Sequence, residues 1–153
     1  YTTLFRSVTR KTQMPTRWID QGAEEAIVVV EVPNRYLAGI TEVALKNHFA
    51  DKTNWRKMLT NTYDAVDLVQ EKAKVQAWLP DEVREYFSLE KNEIIAMHYP
   101  VAAYPAKVNS LNLDKTPFYQ GQLIGVKGQY LLFQDGTVFN VRSYEGYVVQ
   151  IAI

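Results

Sequence analysis

The sequence predicts an α+β protein with an α/β N-terminal part, a helical connector and a small C-terminal antiparallel β module. Apolar residues recur at helical spacing in the first two parts, one β-branched run lies between helices, and alternating apolar residues dominate the end. We place the three parts at residues 8–63, 64–92 and 93–153, where the apolar period changes. The chain has 153 residues and 47% hydrophobic content, enough for a real core.

The first predicted helix lies in the most cationic stretch of the chain. Thr12 can cap its first amides, Pro15 fits a first turn, and Gly22 can end it in a left-handed conformation. Arg17 and Trp18 then fall in the middle of the helix.

A strand and a second helix follow. The β-branched run over residues 24–32 predicts a buried strand, and Asn34 can cap a helix over residues 35–48. Glu42 falls off the centre of the apolar stripe of this helix. We therefore expect its carboxylate at the edge of a cleft.

Three further helices are predicted over residues 54–59, 64–79 and 81–89. The last two carry mixed, net acidic charge. This pattern is typical of a solvated outer face, and a partner-docking surface is the alternative.

The C-terminal part changes to a period of two. A strand begins near Ile94, and Gly128 and the dipeptide Asp135-Gly136 separate later runs in the manner of hairpin turns. Four short strands are predicted at residues 122–126, 129–134, 137–142 and 147–151. We expect the meander to curl into a small barrel or to pack on a helix.

Composition excludes several classes of protein. Seventeen basic residues balance seventeen acidic ones, so any nucleic-acid binding must come from a local patch, and residues 1–63 carry nine basic against six acidic. Without cysteine there are no disulfides or thiolate zinc sites, which suits a cytoplasmic protein. No apolar run reaches the roughly 20 residues of a membrane span. Triad, zinc and phosphate-loop motifs are also missing from the sequence.

The N-terminal residues resemble a known superfamily. A Thr-Arg pair at Thr9, then Arg17-Trp18-x-x-x-Gly22, a strand and a Glu-bearing helix resemble the second half of a GIY-YIG nuclease core. Residues 9–23 and 125–148 resemble more closely an uncharacterised prokaryotic family. The nuclease resemblance implies that Arg17 is the essential arginine and that Glu42 binds a metal, Mg²⁺.

The same resemblance implies a truncation. The two tyrosine-bearing strands that name the GIY-YIG motif should precede Thr9, and residues 1–8 do not match them. We interpret residues 1–7, which a common library adapter can encode, as a metagenomic assembly artefact on a truncated gene. The general base would then be missing, and we expect this polypeptide to be an inactive fragment.

These observations favour a protein that acts on DNA or RNA, with a Mg²⁺-dependent phosphodiester endonuclease as its full-length form. Arg17 would stabilise the transition state and Glu42 would hold the ion, while Arg10 and Lys11 would contact phosphate and Trp18 a base. Each residue also has an ordinary role, as a surface charge or a core ring. A non-catalytic nucleic-acid-binding module and a structural or protein-interaction domain are the alternatives.

A second aromatic surface is conceivable in the β part. Five tyrosines there, with Lys127 and Arg142, could form an exposed row that stacks bases. Cross-strand aromatic packing explains the same tyrosines without any ligand. The tyrosines are Tyr99, Tyr104, Tyr130, Tyr144 and Tyr147.

Overall fold

The computed structural model describes residues 14–50 and 52–152, and it confirms the α+β class. Its helices are α1 (Met14–Asp20), α2 (Arg35–Leu45), α3 (Trp55–Thr60), α4 (Leu68–Val75) and α5 (Asp81–Arg84). Its strands are β1 (Glu25–Ile27), β2 (Ile94–Ala96), β3 (Asn109–Ser110), β4 (Leu123–Lys127), β5 (Tyr130–Phe133) and β6 (Thr137–Asn140). Short 3₁₀ turns cover Gln76–Trp78 and Val141–Tyr144.

Local stop and start signals place the first helices as predicted. Gly22 has φ +68° and its N–H donates to Ile19 O at 2.9 Å, which ends α1. Asn34 caps α2 by accepting from the N–H of Leu37 at 2.9 Å. Helix α2 ends at Leu45, a few residues before the predicted end. The predicted cap Thr12 lies outside the described residues.

The predicted buried strand over residues 24–32 is wrong in extent. Only β1 has strand geometry, and it pairs antiparallel with β2. Val30 forms a single bridge to Phe87, and the valines around it pack on a cluster that includes Leu45 and Val75. Packing against side chains of the helices therefore holds these valines in place, and few hydrogen bonds to another strand contribute.

The connector helices are shorter than predicted. Asp67 caps α4 with bonds from the N–H groups of Val69 and Gln70, so the helix begins there and not at residue 64. Helix α3, which precedes the connector, lies within one residue of its predicted range 54–59 and begins after Asn54, which accepts from the N–H of Lys57. Helix α5 occupies only Asp81–Arg84 of the predicted range 81–89.

The C-terminal sheet has the order β3-β6-β5-β4. The predicted hairpins are confirmed: β4–β5 and β5–β6 are antiparallel, with Gly128 at φ +59° and Gly136 at φ +85°. The predicted strand over residues 147–151 is wrong. Strand β3 instead takes the free edge of β6 and runs parallel to it.

Two apolar clusters hold these elements together. One is centred on Leu45, Val75, Leu79 and Val83 between the helices. The other joins Met58 and Leu59 of α3 to the sheet residues Val108, Tyr130, Leu132 and Val138. The β1–β2 pair and this second cluster both link residues on opposite sides of the predicted boundary at 93. In the part of the chain that the structure describes, no helix is both long and apolar enough to cross a bilayer.

Candidate functional site

A large cleft of about 2520 Å³ is bounded by α1, β1, α2 and the segment after β2. Arg17 and Glu42 both line it. Arg17 is exposed, and Glu42 is half-buried. The arginine and the carboxylate named by sequence analysis thus both lie along this extended cleft, which also takes in residues of α3 and α4.

The geometry of α1 places the Arg17 side chain on the exposed side of the helix. Successive helical residues point about 100° apart, so burial of Trp18, which is 8% exposed, leaves its neighbour Arg17 on the open side. Trp18 also lines the cleft, but most of its ring packs inward. Arg10 and Lys11 lie outside the described residues, so their predicted phosphate contacts stay predictions.

Glu42 has the oxygen chemistry that Mg²⁺ takes, and a single carboxylate completed by water and substrate oxygens suits this ion. Among residues 14–50 and 52–152, no group of three or more His, Asp or Glu side chains could hold a metal ion. A metal at Glu42 would therefore need oxygens from water and the ligand.

Sequence analysis placed Lys127 in an exposed aromatic row and did not foresee that it would be buried behind the wall of the cleft. This last residue of β4 has no exposed surface. Its Nζ donates to Oε1 of Glu24 at 2.5 Å and to the hydroxyl of Tyr104 at 3.3 Å. Glu24 and Tyr104 both line the cleft, so the buried cation lies directly behind its wall.

Three tyrosine rings surround the same ammonium. Its Nζ lies 4.9 Å from the ring centre of Tyr104 and 5.5 Å from those of Tyr63 and Tyr99. These distances are in the range of cation–π attraction, which strengthens when the cation is desolvated. We call Lys127, Glu24, Tyr63, Tyr99 and Tyr104 the lysine cluster.

Tyr99 ties the lysine cluster to α1. Its hydroxyl donates to Ala23 O at 2.7 Å, just beyond the end of that helix. Burial raises the pKa of Tyr99 to about 12, with further contributions from the charges of Glu24, Tyr104 and Asp20. The phenol therefore stays protonated at neutral pH and keeps its donor role.

The hypothesis of an exposed aromatic row in the β part is wrong for two of its members. Lys127 is fully buried, and Tyr130, 8% exposed, stacks on Trp55 with ring centres 5.8 Å apart. The usable signal in the sequence was faint: Lys127 falls two residues after Gly125, on the inward face of β4. A lysine on the inward face of a strand needs a buried hydrogen-bond acceptor, and the sequence alone does not identify which residue supplies it.

The comparisons with known proteins place the chain in a family. A search of curated proteins found no match, and a search of solved structures found none either. A family model matches residues 7–149, most of the chain. The chain belongs to the family described as "Protein of unknown function (DUF2797)".

Proposed function

We propose that this protein acts on nucleic acid and that Arg17 contacts a backbone phosphate at the cleft. The observation that carries the proposal is the position of Arg17 and Glu42 on the walls of one cleft. A guanidinium offers paired donors that match phosphate oxygens. The resemblance to GIY-YIG nucleases, in which these two positions carry the chemistry, points the same way.

The cleft walls carry charges of both signs. Arg35, Lys57 and Arg142 line the cleft with Arg17, and Glu25 and Glu31 are among the acids. Phosphate binding would therefore be local, near Arg17, and not spread along a uniformly positive groove. We expect modest affinity with a clear dependence on salt.

In the nuclease form of this proposal, Glu42 would hold Mg²⁺. The ion, when bound, would neutralise phosphate charge and polarise the phosphoryl group. Arg17 would orient the phosphate and stabilise negative charge that develops on it. The absence of cysteine supports the cytoplasmic location that belongs to this proposal.

The test is oligonucleotide binding at low salt, followed by a salt series. Arg17→Ala should weaken binding and lower the salt slope by about one unit, because one phosphate contact is lost. Arg84→Ala is the matched control: Arg84 is exposed, pairs with Asp81 and does not line the cleft.

Cleavage separates the nuclease from a binding module. Mg²⁺-dependent cleavage that Glu42→Gln and Arg17→Ala both abolish would support the endonuclease. Binding without cleavage is the result expected if the general base is missing from this polypeptide, and it would leave nucleic-acid binding as the activity of this chain. No binding of DNA or RNA at low salt would overturn the proposal in favour of a structural or protein-interaction domain.

A further inference from the structure

Tyr63 combines exposure with a place in the cleft. Among the exposed Phe, Trp and Tyr side chains of the described residues, it is the one that lines the cleft. Its side chain is 39% exposed. It follows α3 by way of Asn61, which ends that helix in a left-handed conformation at φ 54°.

The buried ammonium of Lys127 lies against the Tyr63 ring. Lys127 Nζ lies over the Tyr63 ring at 5.5 Å from its centre, and Lys127 has no exposed surface. One face of the ring is thus directed at the buried ammonium, and the opposite face is the one left for a ligand in the cleft. The hydrogen bonds to Glu24 and Tyr104 fix the position of the ammonium. Cation–π attraction to this fixed ammonium then stabilises the position of the Tyr63 ring.

Helix α1 and the lysine cluster are in direct contact through Tyr99, whose hydroxyl lies 3.4 Å from Ile19 O of that helix, and both Tyr63 and Arg17 line the cleft. Tyr99 of the cluster donates to Ala23 O, and Glu24, next along the chain, is the ion-pair partner of Lys127. Arg17 lies on the helix that ends at this point.

The charges around Tyr63 favour a base over a phosphate at its surface. Lys127 already neutralises Glu24. Asp64, the next residue after Tyr63, is exposed and lines the cleft, so it repels a phosphate there. Arg17 attracts one. A nucleotide chain would then place phosphate at α1 and a base at the tyrosine.

We propose that Tyr63 is a stacking platform for an unpaired nucleobase and that the protein prefers single-stranded nucleic acid to duplex. This inference rests on the proposed function. Every base offers a flat face to an aromatic ring, whereas in a duplex those faces are covered by neighbouring base pairs. The same arrangement predicts little preference for sequence, because stacking reads no hydrogen-bonding edge.

The test compares variants on matched single-stranded and duplex oligonucleotides. Tyr63→Ala should weaken single-strand binding by roughly five- to hundredfold, the usual effect of removing one stacked ring. Tyr63→Phe should restore most of it, because the flat ring is kept. Tyr36→Ala is the matched control, since Tyr36 is 69% exposed but does not line the cleft.

A second measurement uses the unaltered protein and so does not depend on the folding of a variant. Single abasic sites are moved along the oligonucleotide, and one position should reproduce the loss seen with Tyr63→Ala. In Tyr63→Ala itself that abasic site should cause no further loss.

The outcomes keep the two proposals apart. Arg17-dependent binding that is equal for single strand and duplex, and indifferent to Tyr63→Ala and to abasic sites, would overturn the stacking platform and leave the proposed function standing. No binding of either form would overturn both.

Discussion

Lys127 and Glu24 form an ion pair that joins the C-terminal sheet to the segment after α1, with Nζ 2.5 Å from Oε1. The two side chains differ in exposure: Lys127 has none, and Glu24 is 36% exposed. Water can therefore solvate the carboxylate if its partner is removed, but it cannot reach the ammonium. A buried charge left without its partner is the costly case.

The ion pair should accordingly respond unequally to substitution of its two members. Glu24→Gln should lower the free energy of unfolding by about 3 kcal/mol, because Lys127 stays buried without a counter-charge. Lys127→Met should lower it by less, about 1 kcal/mol, because the carboxylate left unpaired is half-buried and can still be reached by water. Urea unfolding at neutral pH measures both values.

The double variant and a surface pair complete this experiment. Glu24→Gln combined with Lys127→Met should be no less stable than Glu24→Gln alone, since the stranded charge is gone. Arg84→Ala, which breaks an exposed pair with Asp81, should change stability by less than about 0.5 kcal/mol. If Glu24→Gln and Lys127→Met lowered the free energy of unfolding equally, the burial of the remaining charge would not determine the loss of stability.

A second prediction concerns the β4–β5 turn, which packs against the end of α1. A Cβ atom on Gly128 would lie 3.0 Å from Asp20 O, and the residue has φ +59°. Gly128→Ala should therefore lower the free energy of unfolding by about 1–3 kcal/mol through strain and the displaced α1 backbone.

Gly39 is the matched glycine for this prediction. It lies inside α2, and nothing lies within 4 Å of an added Cβ. Gly39→Ala should raise stability by about 0.5–1 kcal/mol, because alanine loses less backbone entropy in a helix. Thermal unfolding measures both effects. The midpoint temperature should fall for Gly128→Ala and rise for Gly39→Ala. A loss at both positions would contradict the argument.

Local signals predicted where α2 and α3 begin and where α1 ends, because the hydrogen bonds involved lie within a few residues, but they did not predict where α2 ends or where α4 begins. Asn34 and Asn54 cap α2 and α3 through bonds three residues along, and Gly22 ends α1 with its own backbone. The roles that the GIY-YIG resemblance implies for Arg17 and Glu42 stay predictions, and both residues line the cleft.

The lysine cluster could not be predicted in this way. Lysine is almost never fully buried unless paired, and the partner of Lys127 is 103 residues away in the sequence. The strand expected at residues 147–151 failed for a related reason. Propensity favours a strand there, but a strand also needs a free edge, and β3 occupies that of β6.

The third prediction uses the pH dependence of Tyr99. Its pKa in the folded protein is about 12, against an ordinary value of 10.0. The folded state binds this proton more tightly, so the stability it contributes is complete below pH 10 and is lost as pH rises towards 12. Tyr99→Phe removes the ionisation. The variant should lose stability less steeply than the unaltered protein between these two pH values.

At neutral pH the same variant should be less stable by about 1 kcal/mol, because the hydrogen bond to Ala23 O is lost. Urea unfolding at several pH values, with an absorbance titration of the tyrosines, tests both parts. Parallel pH profiles for the two proteins would be incompatible with a raised pKa at Tyr99.

The last prediction concerns Lys72, the second buried lysine. It is 2% exposed, and within the described part of the chain it forms no ion pair. Its Nζ donates to Lys91 O at 2.5 Å and lies 5.7 Å from the Phe87 ring. Burial and then the charge of Lys91 lower its pKa from the ordinary value of 10.5.

A lowered pKa means that the folded state holds this proton less tightly than the unfolded chain does. The stability linked to Lys72 is therefore complete above pH 10.5 and is lost as pH falls through the lowered pKa. Lys72→Met keeps most of the apolar stem and removes the charge. At neutral pH it should raise the free energy of unfolding by about 1 kcal/mol, as buried charges replaced by apolar groups often do.

The gain from Lys72→Met should shrink as pH rises past 10.5, because above that pH the amine becomes neutral in the unfolded chain as well as in the folded protein. Lys74→Met on the same helix is the control: Lys74 has a 57% exposed side chain and pairs with Glu71, so its substitution should change stability by less than about 0.5 kcal/mol. Urea unfolding of the three proteins at neutral and alkaline pH measures the difference. Destabilisation by Lys72→Met at every pH would show that the bond to Lys91 O outweighs the cost of burying the charge.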